Sequence, residues 1–248
     1  MFPIRDHNPS QQTPYVTYGL IVVNVLVFLS YWSLFSDERA LNAFFLDWAL
    51  LPARISQGDG YITLLTTMFM HGGLLHLAGN MLFLWIFGDN LEDEMGHVGF
   101  LLFYLAAGLG AALTHVIAAP WSAVPTVGAS GAIAGVMGGY LLLFPKAKVD
   151  ILFIFIIFFR IFSVPAWMML GVWFVLQLIS GVGADPATGG VAYWAHAGGF
   201  VVGFILTLPV WLKHGGTTYW SRTHGQPPHP EARYELTPTR IPRVRRRR

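Results

Sequence analysis

Apolar residues fill this chain in long runs, and polar residues collect between them. Six runs read as spans: Val16 to Leu34, Leu74 to Gly88, Val98 to Ala118, Ala129 to Phe144, Pro165 to Ile179 and Ala192 to Leu212. Crossing a hydrocarbon layer of about 30 Å takes about 20 residues of helix, and several runs reach that length. The breaks between runs are also informative. Phe35 to Met70 reads as an amphiphilic loop containing Asp37, Glu38, Arg39, Asp47, Arg54 and Asp59, and Asp89 to Glu94 as an acidic surface turn. Val149 to Phe162 is very apolar but is interrupted by Arg160 and Pro165, so it is expected to be an interfacial or partly buried lead into the fifth span.

The fourth run is short for the bilayer and starts with Val127-Gly128-Ala129-Ser130-Gly131. A helix that begins below the membrane surface leaves non-helical backbone at depth. That is tolerated only inside protein or beside water. The fourth helix is therefore expected to be central.

Composition strengthens this picture. Hydrophobic residues make up 54% of the 248 positions and charged residues 11%, against about a quarter charged in a soluble domain. The fold class expected is an all-α membrane protein with six transmembrane helices. Residues 1–15 form a polar N-terminal segment, 16–212 the membrane domain and 213–248 a basic, disordered tail. The first segment has no apolar core before a cleavage site, so the first run is expected to be a retained span. No cysteine is present, which excludes disulfides and thiolate chemistry.

Where the charges lie matters more than the net +2. Nine of the fifteen Lys/Arg residues follow the last apolar run: Lys213, Arg222, Arg233, Arg240, Arg243 and Arg245 to Arg248. With both termini cytoplasmic, inside segments also hold Arg5, Lys146 and Lys148, and outside loops only Arg39 and Arg54. This asymmetry fixes the orientation, and the bacterial inner membrane is the location expected. A basic tail beside a span reads as an orientation signal rather than a nucleic-acid site.

On that map Ser130, His196, His76 and Asn80 all fall in the outer half of the membrane. Ionisable groups in spans are functional candidates. Gly199 and Gly203 share a helix face with His196, and Gly131, Gly135 and Gly139 make a matching stripe on the fourth span. Small residues at this spacing let backbones approach closely. If the two faces meet, His196 comes beside Ser130; the bland alternative is packing alone. Ser130 stands at a helix start, where backbone N–H groups lack helical acceptors. Such donors can stabilise the oxyanion formed when a hydroxyl attacks a carbonyl, and imidazole is a suitable base for that hydroxyl. No Asp or Glu is placed at that depth, so the expectation is a dyad. His76 and Asn80, four residues apart, could add donors or could be interhelical glue.

The blocks His71-Gly72-Gly73-Leu74-Leu75-His76-Leu77-Ala78-Gly79-Asn80, Gly128-Ala129-Ser130-Gly131 and Ala195-His196-Ala197-Gly198-Gly199 resemble the rhomboid family of intramembrane serine proteases. The resemblance runs from about Val16 to Leu212. It implies a six-helix bundle around a wet cavity open to the outer side. It makes Ser130 the nucleophile and His196 the general base and acid, with His76, Asn80 and the Ser130 backbone N–H as the oxyanion site. Gly128 and Gly131 match the Gly-x-Ser-Gly motif. His71 matches a histidine that is structural or lines the cavity. The implied substrates are transmembrane segments cut near their outer end, in the lipid bilayer and without cofactor, metal or nucleic acid. One departure is the first loop, where Trp48 is followed by Ala49 rather than Arg. An inactive relative, a metalloprotease built on His71, His76 and His196, and a transporter are the rival readings. The first would lack Ser130 or His196, the second lacks a His-Glu-x-x-His pattern, and the third would show an internal repeat.

Overall fold

The computed structural model describes residues 2–155, 158–184 and 190–228. Its apolar helical segments follow the sequence runs, with changes at the breaks. Helix α1 covers Tyr15–Ser30. The first loop then folds as α2 (Glu38–Trp48), α3 (Pro52–Ser56) and α4 (Thr63–Thr66). Asp37 caps α2 by accepting from the N–H groups of Arg39 and Ala40. Trp48 stays exposed, whereas the following Ala49 and Leu50 are buried.

Helix α5 runs from Leu74 to Ala118, 45 residues. Gly96, at φ 71° and ψ 163°, breaks it into two limbs, residues 74–95 and 97–118. Each limb is about 33 Å long at 1.5 Å per residue. Helix α6 (Ser130–Leu143) has 14 residues, only about 21 Å. It is buried along nearly its whole length between α5 and α8 (Tyr193–Lys213), as a short central helix must be. Helix α7 (Ala166–Gly183) is peripheral, with only Ala166, Leu170 and Gly181 buried. Helices α5, α7 and α8 are long and apolar enough to cross a membrane; α1 and α6 are shorter apolar helices. Leu84, Phe87, Leu91, Phe100, Tyr104, Met137 and Tyr140 form the centre of the core.

Three readings of the breaks need correction. The acidic stretch Asp89 to Glu94 is not a turn but the last part of the first α5 limb. The buried Glu92 accepts hydrogen bonds from the N–H groups of Val16 and Thr17, each at 2.8 Å, and from Thr17 Oγ1 at 2.7 Å. It supplies the first turn of α1 with the acceptors that its N-cap, Pro14, does not. Asp93 does the same for Gln11 and Gln12.

The fold is also not all-α. A three-stranded antiparallel sheet, in the order β1 (Phe2–Asp6), β2 (Lys148–Phe155) and β3 (Phe158–Pro165), joins the N-terminus to the segment before α7. Runs of Ile, Phe and Val suit a pleated strand. Asp150, nearly fully buried, holds the sheet by accepting from Arg5 Nε at 2.6 Å and Ser163 Oγ at 2.5 Å, with His7 Nε2 3.0 Å away.

The start of the basic tail is ordered as well. Helix α9 (Thr217–Thr223) buries Tyr219, and Trp220 Nε1 donates to the Leu142 carbonyl. Aromatic burial outweighs the local charge there. The Arg-rich end, 229–248, lies outside the described residues.

Candidate active site

The turn before α6 is built by the first loop and the residues it touches. Leu50 and Thr126 exchange two backbone hydrogen bonds, at 3.0 and 2.9 Å. Thr67 Oγ1 donates to the Thr126 carbonyl, and the Gly128 N–H donates to the Thr67 carbonyl. Gly128 then takes φ +140°, a conformation that favours glycine, and a Cβ there would lie 3.0 Å from two atoms of the His76 ring. Ser130 follows as the first residue of α6. The N–H groups of this first turn have no acceptor within the helix.

The glycine stripes on α6 and α8 meet. A Cβ at Gly199 would collide with the Gly131 carbonyl, and one at Gly203 with the Gly135 backbone. Gly139 faces Thr207, Leu91 and Phe103 in the same way. This close approach brings the first turn of α8 beside the start of α6. His196 Nε2 lies 2.7 Å from Ser130 Oγ. The packing and chemical readings of the glycines are therefore compatible: packing creates the pair.

His76 and Asn80 lie on the first limb of α5 and line the same cleft as Ser130 and His196, a cavity of about 270 Å³. The Gly72 N–H donates to His76 Nδ1 at 3.3 Å. A neutral imidazole that accepts at Nδ1 carries its proton on Nε2. The Nε2–H donor thus lies on the side facing Gly128, where an added Cβ would also lie 3.3 Å from Ser130 Oγ. Asn80 is 8% exposed, and its Nδ2 has no protein hydrogen-bond partner among the described residues. An amide donor held unpaired at the edge of a cleft is ready for an incoming acceptor.

His71 is fully buried and does not line this cleft. Its ring stands edge-on to His76, with centroids 5.1 Å apart, and its backbone N–H and C=O both bond Tyr31 Oη. It therefore ties α5 to the end of α1. His115 Nε2 lies 3.1 Å from Thr126 Oγ1, so it braces the turn that carries Ser130.

Two residues of α7 escaped the sequence reading. Gln177 Oε1 lies 2.8 Å from His196 Nδ1, and the Trp173 ring lies 5.8 Å from the imidazole, tilted by 31°. The available signal was a lone amide in an apolar helix, four residues after a tryptophan and so on the same face.

Comparison with known proteins matches residues 58–213 to the rhomboid domain. The chain is 30% identical to RHOMBOID-like protein 4 of Arabidopsis thaliana over 71% of its own length and 41% of that protein. It is 31% identical to Rhomboid protease GluP of Bacillus subtilis, covering 65% of this chain and 28% of that one. Rhomboid protein 1, mitochondrial, of Saccharomyces cerevisiae is 30% identical over 77% of this chain and 51% of its own. The chain thus spans about half or less of the length of these relatives.

Proposed function

We propose that this chain, which belongs to the rhomboid family of membrane proteins, is an intramembrane serine endopeptidase acting through Ser130 and His196. One observation carries the reading: a serine hydroxyl and an imidazole nitrogen 2.7 Å apart in a cleft, beside an unpaired amide donor. The matched relatives include one named a rhomboid protease.

The chemistry follows from the geometry. Ser130 Oγ attacks the scissile carbonyl carbon while His196 Nε2 takes the hydroxyl proton. The new C–O bond leaves a negative charge on the former carbonyl oxygen. Asn80 Nδ2, His76 Nε2 and the Ser130 N–H are the donors for that charge. When the intermediate collapses, the C–N bond breaks and the imidazolium returns its proton to the leaving amine. Water then attacks the acyl-serine, with His196 again accepting and returning a proton, to release the new carboxyl terminus.

The membrane arrangement belongs to the same proposal. The two α5 limbs, α1, α6, α7 and α8 make six crossings with both termini cytoplasmic. Arg5, Lys146 and Lys148 around the sheet support the inside assignment. The names of the relatives include mitochondrial and bacterial proteins, so kinship does not favour the bacterial inner membrane over other membranes. The substrates are transmembrane segments cut near their outer end, with small residues at the bond and helix-breaking residues beyond it.

The test is cleavage of a reporter transmembrane substrate by the full chain in liposomes. Ser130→Ala and His196→Ala should each lower the rate by about 10³-fold or more without loss of folded protein. Chelators should leave the parent rate unchanged. Cleavage that survives Ser130→Ala, or that stops with a chelator, would sink the reading.

A further inference from the structure

We infer that Gln177 is a positioning residue that completes the Ser130–His196 pair from α7. The inference rests on the protease reading above. His196 makes one contact at each ring nitrogen: Nε2 with Ser130 Oγ at 2.7 Å and Nδ1 with Gln177 Oε1 at 2.8 Å. A neutral imidazole has one N–H and one bare nitrogen. An amide oxygen can only accept, so opposite Nδ1 it holds the ring proton there. Nε2 is then bare and faces the serine hydroxyl, which is the state a general base requires. The reversed amide would donate to Nδ1, move the ring proton to Nε2 and disarm the base. Of the two amide orientations, only one fits catalysis.

Position supports the assignment. Trp173 precedes Gln177 by one helical turn, and its ring lies against the same imidazole. Helix α7 thus holds the ring by an aromatic face and a hydrogen bond together. A polar amide on a largely apolar helix is costly unless it finds a partner, and here the partner is the base. The amide carries no charge and takes up no proton, so it orients His196 rather than relaying a proton. It stands where a triad places its carboxylate.

The experiment compares the full chain in liposomes with Gln177→Met, which keeps length but removes the oxygen acceptor, and Gln177→Glu, which keeps an acceptor. The Met variant should lose about 10–100-fold in kcat with KM changed by less than about twofold. Fluorophosphonate labelling of Ser130, which needs no substrate, should slow in parallel. The Glu variant should stay within about fivefold of the parent on both readouts. A Met variant that matches the parent, or a Glu variant as impaired as the Met variant, overturns the assignment. Should the Met variant fail to fold, Gln177→Asn withdraws the oxygen by one methylene and should show the same loss; labelling at the parent rate would overturn it. A parent that neither cleaves nor labels at Ser130 defeats the protease reading itself, whereas an active parent with an unimpaired Met variant defeats only the role of Gln177.

Discussion

Ser130 and His196 are 66 positions apart in the chain and 2.7 Å apart in space, on two helices whose backbones touch through glycine. Because α6 and α8 touch backbone to backbone at Gly131–Gly199 and Gly135–Gly203, the pair is held by rigid elements. A fluorophosphonate should therefore label Ser130 in the resting protein, and His196→Ala should slow labelling by at least about 100-fold. Mass spectrometry of the labelled peptide gives the site. Label found elsewhere, or retained in Ser130→Ala, contradicts the assignment.

Asn80 gives a sharper test of the oxyanion donors. Its Nδ2 is buried and unpaired among the described residues. Interactions made only in the transition state appear in kcat. Asn80→Ala should lower kcat by about 10²–10³-fold with little change in KM. A variant that changes KM alone would make Asn80 a substrate-binding residue instead.

Much of this site was legible before the structure, because its signals are local. Glycines spaced by four, a serine at a helix start and a histidine within a span each carry their own physical meaning. What stayed hidden depends on distant partners. Glu92 looked like surface until the N–H groups of Val16 and Thr17 were found on it, across 75 and more positions. The run Val149 to Phe162 is apolar on both faces, so it lacks the alternation that separates strand from buried helix. Its pairing with residues 2–6 is a long-range contact with no sequence mark. Gln177 has meaning only once His196 faces it.

The glycine contact should be as demanding as it looks. Gly203→Val sets a branched side chain against the Gly135 backbone, which cannot yield as a flexible side chain would. We expect a loss of about 3 kcal/mol or more, or failure to accumulate as folded protein. Gly19→Ala in α1 is the matched control, since nothing lies within 4 Å of the added methyl. It should stabilise by about 0.5–1 kcal/mol through helix propensity. Thermal unfolding in detergent separates the two. Equal effects would mean that the α6–α8 approach is not close in solution.

The N-terminal segment should dock in a pH-dependent way. Burial pushes the Asp6 carboxyl up to about 8, the hydrogen bond from Tyr140 opposes this and the nearby Asp89 adds to it. A carboxyl whose pKa is raised by folding binds more protons folded than unfolded. Its contribution is full below about pH 4 and is lost as the pH rises to about 8. Asp150 behaves oppositely. Burial would raise it, but the hydrogen bonds from Ser163, Arg5 and His7 hold it at about 2. Its contribution is present above about pH 4 and is lost as the pH falls towards 2. Between pH 4 and 8 the slope therefore comes from Asp6 together with its neighbour Asp89. Asp6→Asn keeps an oxygen for the Tyr140 hydroxyl and removes the titration. Protease protection of residues 2–8 should fall from pH 5 to pH 8 in the parent and fall less in the variant, where Asp89 alone is left. A parent with no fall, or a variant that falls equally, would show that Asp6 does not govern the docking of β1.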